Sequence, residues 1–226
     1  MSNSGVRATP SDLPESTQPE ASRPASLRLI LIRHGSSTWN DERRIQGQLD
    51  PPLSELGREQ ARLLGERLRG CAADAFYSSD LLRARETARE VAAGIGREPE
   101  LMPELREVAL GEWEGMRREE IVARYPEEWK RWSDHPNWDI VPGGEGAAAF
   151  EARVGSALDN LARKHRSGRI LIVTHGGVIQ VALLRIVGRG SRGLFPFTIE
   201  NTSLTVLQGS PDRLIVGCVN DTCHLN

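Results

Sequence analysis

Short aliphatic runs that alternate with helix-forming segments constrain this chain most strongly. Residues 27–32 are apolar apart from Arg28, and residues 169–174 repeat the pattern near the other end of the chain. Aliphatic runs of this length are typical of strands that are buried on both faces. A sheet covered on both faces needs a layer of helices on each side. The alternation therefore predicts an α/β fold, a three-layer α/β/α arrangement around a central, mostly parallel sheet.

Helix signals lie between the predicted strands. Ser54 is a typical N-cap residue, the helix it starts extends to about residue 69, and Gly70 ends it. The remaining predicted elements are helices over residues 80–93, 147–165 and 178–187, and strands over residues 75–77, 198–208 and 213–219. The last two strands surround a turn and suit an antiparallel edge of the sheet.

Two segments interrupt the alternation. Residues 1–26 are rich in Ser, Pro, Thr, Glu and Ala and contain no aromatic residue, so we predict a disordered tail. Residues 103–146 are irregular and contain four tryptophans, which predicts a small cap-like insert with one or two helices. Most of these tryptophans are expected to form the core of the insert. The other residues fit one domain over 27–226.

Composition and charge exclude several classes of protein. The net charge of −2 and the pI near 6.2 give no global basic field for nucleic acid. No run approaches the roughly 18 apolar residues of a membrane helix. Cys71, Cys218 and Cys223 lack metal-ligand spacing and secretory context, so free thiols in the cytoplasm are expected.

Two predicted strands end in a histidine followed by glycine. Arg33-His34-Gly35 follows the first strand, and Thr174-His175-Gly176 follows the strand over residues 169–174. Ligands of open α/β sheets bind at the carboxyl ends of the strands, so both imidazoles are expected at one site. The adjacent glycines let an anion approach main-chain N–H groups. For either histidine alone, a hydrogen bond at a strand end is an equally good interpretation.

A histidine that attacks phosphorus needs a neutral nitrogen and nearby cations that stabilise the phosphoryl oxygens. Arg33 adjoins His34, and Arg83 or Arg85 lies in the first turns of the helix over residues 80–93. A guanidinium group can bind two phosphate oxygens at once. The alternative is that these arginines are solvated, because the chain has many arginines and only two lysines, Lys130 and Lys164.

Several blocks of the sequence resemble, in order, the motifs of the histidine phosphatase superfamily. They are Leu31-Ile32-Arg33-His34-Gly35-Ser36-Ser37-Thr38-Trp39-Asn40, Gln46-Gly47, Asp50-Pro51-Pro52-Leu53, Tyr77-Ser78-Ser79-Asp80-Leu81-Leu82-Arg83-Ala84, Leu105-Arg106-Glu107 with Gly111-Glu112-Trp113-Glu114-Gly115, and Val173-Thr174-His175-Gly176-Gly177. Six ordered blocks are far more specific than one Arg-His-Gly. The block that contains Leu105-Arg106-Glu107 resembles the broad-specificity and alpha-ribazole phosphatase branch, and the family resemblance implies a phosphoglycerate mutase-like fold.

The resemblance also implies a catalytic domain over residues 27–226 and a role for particular residues. His34 would be the nucleophile that becomes phosphohistidine, and Glu107 the general acid. The phosphoryl group would be held by Arg33, Arg83 and His175. The substrate would be contacted by Ser37, Asn40, Gln46, Gly47 and Gly176. The expected substrate is a small-molecule phosphomonoester, hydrolysed without a cofactor or a metal by a monomer or homodimer.

Some alternatives remain open from the sequence. Glu104, Glu112, Glu114 and Glu145 lie in the same region as Glu107, and the residues alone do not separate them. Ser36 stands where the family usually has a glutamate, which puts any specificity of that position in doubt. The alternative functions are a cofactor-dependent phosphoglycerate mutase, and then a non-catalytic module that binds phospho-ligands or a protein phosphatase. Zinc binding by His34 and His175 lacks a recognisable third ligand.

Overall fold

The computed structural model describes residues 26–190, 193 and 196–226, and the predicted tail lies outside them except for Ser26. One sheet of six strands has the order β3-β2-β4-β1-β5-β6. The strands are β1 (Leu27–Arg33), β2 (Ala75–Ser78), β3 (Glu100–Leu101), β4 (Gly168–Thr174), β5 (Leu204–Ser210) and β6 (Arg213–Asp221). β5 is antiparallel to both of its neighbours, and the other pairs are parallel.

Helices cover both faces of this sheet. They are α1 (Thr38–Asp41), α2 (Glu55–Arg67), α3 (Leu82–Ile95), α4 (Arg118–Arg124), α5 (Pro126–Asp134), α6 (Ala147–His165) and α7 (Gly176–Ile186). Successive side chains of β1 enter opposite layers, because Leu29 and Leu31 pack in the core beneath α6 and α7, whereas Ile30 and Ile32 pack against α2 and α3. The predicted three-layer α/β/α class is confirmed.

The boundaries of some elements differ from the prediction. The strand predicted to start at residue 198 starts at Leu204, because the preceding chain turns sharply at Thr202, whose φ is +58°. The α3 helix begins at Leu82 and not at residue 80, and Ser79, which follows β2, bonds the side chain of His175. The short α1 and β3 elements were not predicted. Ser54 caps α2 as predicted, since its hydroxyl accepts a hydrogen bond from the Gly57 amide.

Residues 103–146 are built from α4, α5 and 3₁₀ turns, and they pack on the α6 side of the sheet. Their buried side chains, among them Trp113, Ile121 and Trp138, join the same core as the β1 and α6 residues. Across the described ranges, no helix is both long and apolar enough to cross a membrane.

Candidate active site

The carboxyl ends of β1 and β4 bring the two predicted histidines together. These strands are parallel neighbours with Arg33 paired to Thr174, so His34 and His175 follow at the same edge of the sheet. The His34 amide donates to the Thr174 carbonyl at 2.9 Å, and the two imidazole centroids lie 5.1 Å apart. Both side chains are buried. The backbone register therefore sets their separation.

The hydrogen bond of His34 defines which ring nitrogen is free to react. Nδ1 lies 2.7 Å from the Gly35 carbonyl oxygen, which can only accept, so Nδ1 carries the proton. Nε2 then keeps its lone pair. Burial, followed by the charges of Arg83 and Arg33, holds the pKa of His34 well below 6.5. His34 is therefore neutral at physiological pH, with Nε2 available as a nucleophile.

The side chains of Arg33 and Arg83 are fixed by main-chain carbonyls. Arg83 is fully buried and donates to the carbonyls of Leu49 and Gly47, each at 2.8 Å, while Arg33 donates to the Ile199 carbonyl. In both arginines Nε is buried and has no hydrogen-bond partner within the described chain. Burial lowers the pKa of Arg83 to about 10 and lowers that of Arg33, so both remain cations.

His175 is oriented by a residue that the sequence interpretation did not assign. The Ser79 hydroxyl accepts from the Leu81 amide and lies 2.8 Å from His175 Nε2, to which it can donate its proton. That bond leaves Nδ1 of His175 protonated, buried and without a partner among the described residues. Burial, then the charge of Arg83, holds the pKa of His175 well below 6.5.

Three buried N–H groups that have no partner in the described part of the chain belong to neighbours of His34: Nε of Arg33, Nε of Arg83 and Nδ1 of His175. Buried donors are nearly always paired in proteins, so three exceptions at one place indicate a site for an anion. Two cations and one neutral imidazole match the charge and the three equatorial oxygens of a transferring phosphoryl group.

Glu107 is the glutamate whose position suits a general acid. Its two oxygens accept from the amides of Val108 and Gly177, each at 3.0 Å, and the side chain lines the same cavity as His34. The competing glutamates have other surroundings. None of them lines this cavity: Glu112 bonds Tyr125, Glu114 bonds the amides of Gln48 and Leu110, Glu145 pairs with Arg153, and Glu104 is exposed. Geometry thus favours Glu107 where the residue types alone gave a tie.

The five residues assigned to substrate contact fall into three positions. Gln46 and Gly47 line the cavity above His34. Ser37 and Asn40 lie behind them, since the Ser37 hydroxyl donates to Gln46 at 2.9 Å and its amide donates to the Asn40 side chain. Gly176 lines an adjoining cavity together with Arg33 and Glu107. Ser37 and Asn40 are thus placed to orient Gln46.

Further polar contacts hold the nucleophile's backbone. The Asn201 side chain donates to the His34 carbonyl at 2.9 Å, and the Thr87 hydroxyl accepts from the Gly35 amide at 3.0 Å. Sequence reasoning did not assign Asn201 and had no signal for it. The Ser36 hydroxyl donates to the Asp41 side chain at 3.0 Å and thereby holds the end of α1.

A cavity of about 400 Å³ opens above His34. Four tryptophans line it: Trp113, Trp129, Trp132 and Trp138. Most of them were expected to form core. Trp113 and Trp138 are buried as expected, but both also face the cavity. No group of three or more His, Cys, Asp or Glu side chains suited to a metal ion occurs in the part of the chain that the structure describes.

The neutral histidines predict how stability depends on pH. Because the native pKa values of His34 and His175 lie below the unfolded value near 6.5, the unfolded chain binds more protons as the pH falls. The free energy of unfolding should therefore decrease from about pH 7 to about pH 5. Urea unfolding of His175→Gln should show a smaller decrease than wild type, whereas exposed His135→Gln should match wild type. Equal decreases in all three proteins would contradict the prediction.

Comparisons with known proteins agree on one family. The family model for the histidine phosphatase superfamily (branch 1) matches residues 29–222. Phosphoserine phosphatase 1 of Hydrogenobacter thermophilus is 34% identical over 199 residues, covering 88% of this chain and 94% of that protein. The metal-independent phosphoserine phosphatase of Arabidopsis thaliana is 35% identical over 202 residues, covering 88% and 83%.

A solved structure shows the same architecture. The putative alpha-ribazole-5'-P phosphatase of Escherichia coli superposes with a TM-score of 0.76 and 28% identity. The match covers 87% of this chain and 97% of that one.

Proposed function

Because the chain belongs to the histidine phosphatase superfamily and is a phosphomonoesterase, we propose that it hydrolyses small-molecule phosphomonoesters through a phosphohistidine on Nε2 of His34. The observation that carries the proposal is the set of three buried donors beside a neutral imidazole, none of which has a partner among residues that the structure describes. A phosphoryl group at that place would satisfy all three donors and lie next to the nucleophile.

In the first step, the Nε2 lone pair of His34 attacks phosphorus and the bond from phosphorus to the ester oxygen breaks. Glu107 gives its proton to the departing alkoxide, which leaves as an alcohol. Negative charge on the phosphoryl oxygens is stabilised by Arg33, Arg83 and the Nδ1 proton of His175. The Gly35 carbonyl accepts from Nδ1 of His34 and stabilises the positive charge that the ring gains.

In the second step, water attacks the phosphohistidine. The Glu107 carboxylate takes a proton from this water, and the phosphorus–nitrogen bond breaks. Inorganic phosphate leaves, His34 returns to its neutral form, and Glu107 is again protonated. The negative charge on the phosphoryl oxygens is stabilised by two arginines and an imidazole, and Glu107 neutralises the leaving group, so the scheme assigns no step to a metal ion. The similarity to a metal-independent relative supports this assignment.

We also propose that the protein works in the cytoplasm as a monomer or homodimer without binding nucleic acid or membrane. Cys71, Cys218 and Cys223 are free thiols, which suits a reducing compartment. The substrate-binding roles assigned to Ser37, Asn40, Gln46, Gly47 and Gly176 belong to the same proposal, with Ser37 and Asn40 acting through Gln46.

Rapid-quench trapping tests the mechanism directly. The enzyme is mixed with ³²P-labelled phosphoserine or 4-nitrophenyl phosphate in EDTA and quenched in alkali within the first turnover. We expect full turnover in EDTA and an acid-labile, base-stable label on the peptide that contains His34. The His175 peptide serves as the internal control and should carry no label.

Four results would contradict the proposal. Loss of activity in EDTA would require a metal, and an acid-stable label would indicate a different nucleophile. Transfer of the label to phosphoglycerate in preference to water would establish the mutase alternative. Absence of both turnover and label with every phosphomonoester would favour a module that only binds phospho-ligands.

A further inference from the structure

The cavity above His34 has two chemically different ends. Arg33, His34 and Arg83 lie at one end and form the proposed phosphoryl site. Gln46, Gly47 and Glu107 also line the cavity, and the remaining walls are apolar: Ile45, Val108, Leu110 and the four tryptophans of residues 103–146. The leaving group of a phosphomonoester would extend from the phosphoryl site toward these walls. Their chemistry therefore selects among leaving groups.

The four tryptophans form a continuous series of ring contacts, which we call the tryptophan wall (Trp113, Trp129, Trp132 and Trp138). Trp113 lies 6.0 Å from Trp129 and 5.6 Å from Trp132 between ring centroids, and Trp132 lies 4.7 Å from Trp138. Trp113 and Trp138 are anchored in the core, while Trp129 and Trp132 are half-buried. These contacts hold the rings in place, so the wall is preformed and binding costs little ordering of side chains.

The charged groups of the cavity are not available to bind a charge on the leaving group. Among the described lining residues the cations are Arg33 and Arg83, and the acid is Glu107. The arginines stand at the phosphoryl end, and Glu107 accepts from two amides. The carboxylate of a leaving group such as that of phosphoserine would face apolar walls, where burying an unpaired charge is costly.

A cationic leaving group also fits the wall poorly, although aromatic faces can bind cations. The Arg118 guanidinium already lies 5.2 Å from the Trp129 ring centroid. Trp132 meets Trp113 nearly edge to face, with an interplanar angle of 78°. An uncharged aromatic group can instead pack against these rings by stacking and edge contacts.

We propose that the preferred substrates are phosphomonoesters whose leaving group is a bulky, uncharged aromatic alcohol bound against the tryptophan wall. This inference rests on the proposed function and names its substrate class. A cavity of about 400 Å³ lies within the range of sites for small organic molecules and has room for a ring beyond the phosphoryl group.

The proposal is tested with substrates whose leaving groups are all primary alcohols. Differences in rate then do not arise from the higher intrinsic reactivity of aryl phosphates. The panel is 2-phenylethyl phosphate, ethyl phosphate, phosphoserine and phosphocholine. We expect kcat/KM for 2-phenylethyl phosphate to exceed each of the other three by about tenfold or more. A preference for phosphoserine or phosphocholine, or equal values for all four, would overturn the proposal.

Variants of the half-buried tryptophans then locate the preference. Trp132→Ala and Trp129→Ala should each lower the ratio of kcat/KM for 2-phenylethyl phosphate to that for ethyl phosphate by about fivefold to tenfold. Trp132→Phe, which keeps an aromatic ring, should lower it less. Val122→Ala, an exposed apolar change in the same insert, should keep the wild-type ratio. If the tryptophans had a purely structural role, their loss would lower kcat/KM for both substrates equally. The ratio would then stay unchanged, contrary to the proposal.

Binding of non-hydrolysable analogues separates this inference from the mechanism. Calorimetry should show that wild type binds 3-phenylpropylphosphonate about tenfold more tightly than propylphosphonate. Equal affinities overturn the inference even if His34 becomes labelled in the quench experiment. Conversely, tight aromatic binding without any phosphohistidine contradicts the proposed mechanism and leaves the substrate class supported.

Discussion

His34→Asn should lower kcat by about 10⁴-fold or more for every phosphomonoester that the wild type hydrolyses. The substituted side chain would have no nitrogen lone pair that can attack phosphorus, because an amide nitrogen is not nucleophilic. Its N–H can still donate toward the Gly35 carbonyl, which now accepts from Nδ1 of His34 at 2.7 Å. The loss should therefore reflect chemistry more than disrupted packing, and steady-state assays with rapid-quench trapping would measure it.

The matched control is His135→Asn, which makes the same change at an exposed position. This variant should keep wild-type kcat and still become labelled. Binding of inorganic phosphate to His34→Asn adds a second readout, since Arg33, Arg83 and His175 remain in place. Retention of more than about a tenth of wild-type kcat by a folded His34→Asn protein would show that His34 is not the nucleophile.

The sequence was sufficient to predict the parts of the site that depend on strand ends. Residues 27–32 and 169–174 are aliphatic apart from Arg28, Arg169 and Thr174, a pattern typical of buried parallel strands. The register of these two strands brings His34 and His175 to one edge. The family resemblance, which is confirmed, selected Arg83 and Glu107 from several candidates. Arg83 and Arg85 were equivalent by residue type alone, and the structure buries Arg83 and exposes Arg85.

Contacts between distant loops could not be predicted in this way. Asn201 reaches the His34 carbonyl because the chain turns sharply at Thr202 before β5 begins, a turn with no glycine to indicate it. Nothing in the sequence indicated that Ser79 orients His175, because a serine just before a helix is often its N-cap. The tryptophans were expected to be mostly core because large aromatics usually are, and only tertiary packing shows that they also line a cavity.

Glu107→Gln should slow phosphorylation of the enzyme by about 10³-fold with ethyl phosphate but by less than about tenfold with 4-nitrophenyl phosphate. Ethanol is a poor leaving group that needs a proton as it departs, whereas nitrophenolate leaves without one. Single-turnover rate constants measured by rapid quench isolate this step from the hydrolysis of the intermediate. The second step also uses Glu107, so labelled protein should accumulate when the variant is mixed with 4-nitrophenyl phosphate.

The difference between the two substrates separates acid catalysis from a structural role of the carboxylate. Glu107 accepts from the amides of Val108 and Gly177, and a glutamine has only one acceptor oxygen for these two donors. A local shift caused by the lost hydrogen bond would lower the phosphorylation rate constant to the same extent with both substrates. Glu112→Gln and Glu104→Gln, which change exposed glutamates of the same region, should leave both rate constants at wild-type values. If Glu107→Gln slows the two substrates equally, or if a variant at Glu112 or Glu104 shows the selective loss instead, Glu107 is not the acid that protonates the leaving group.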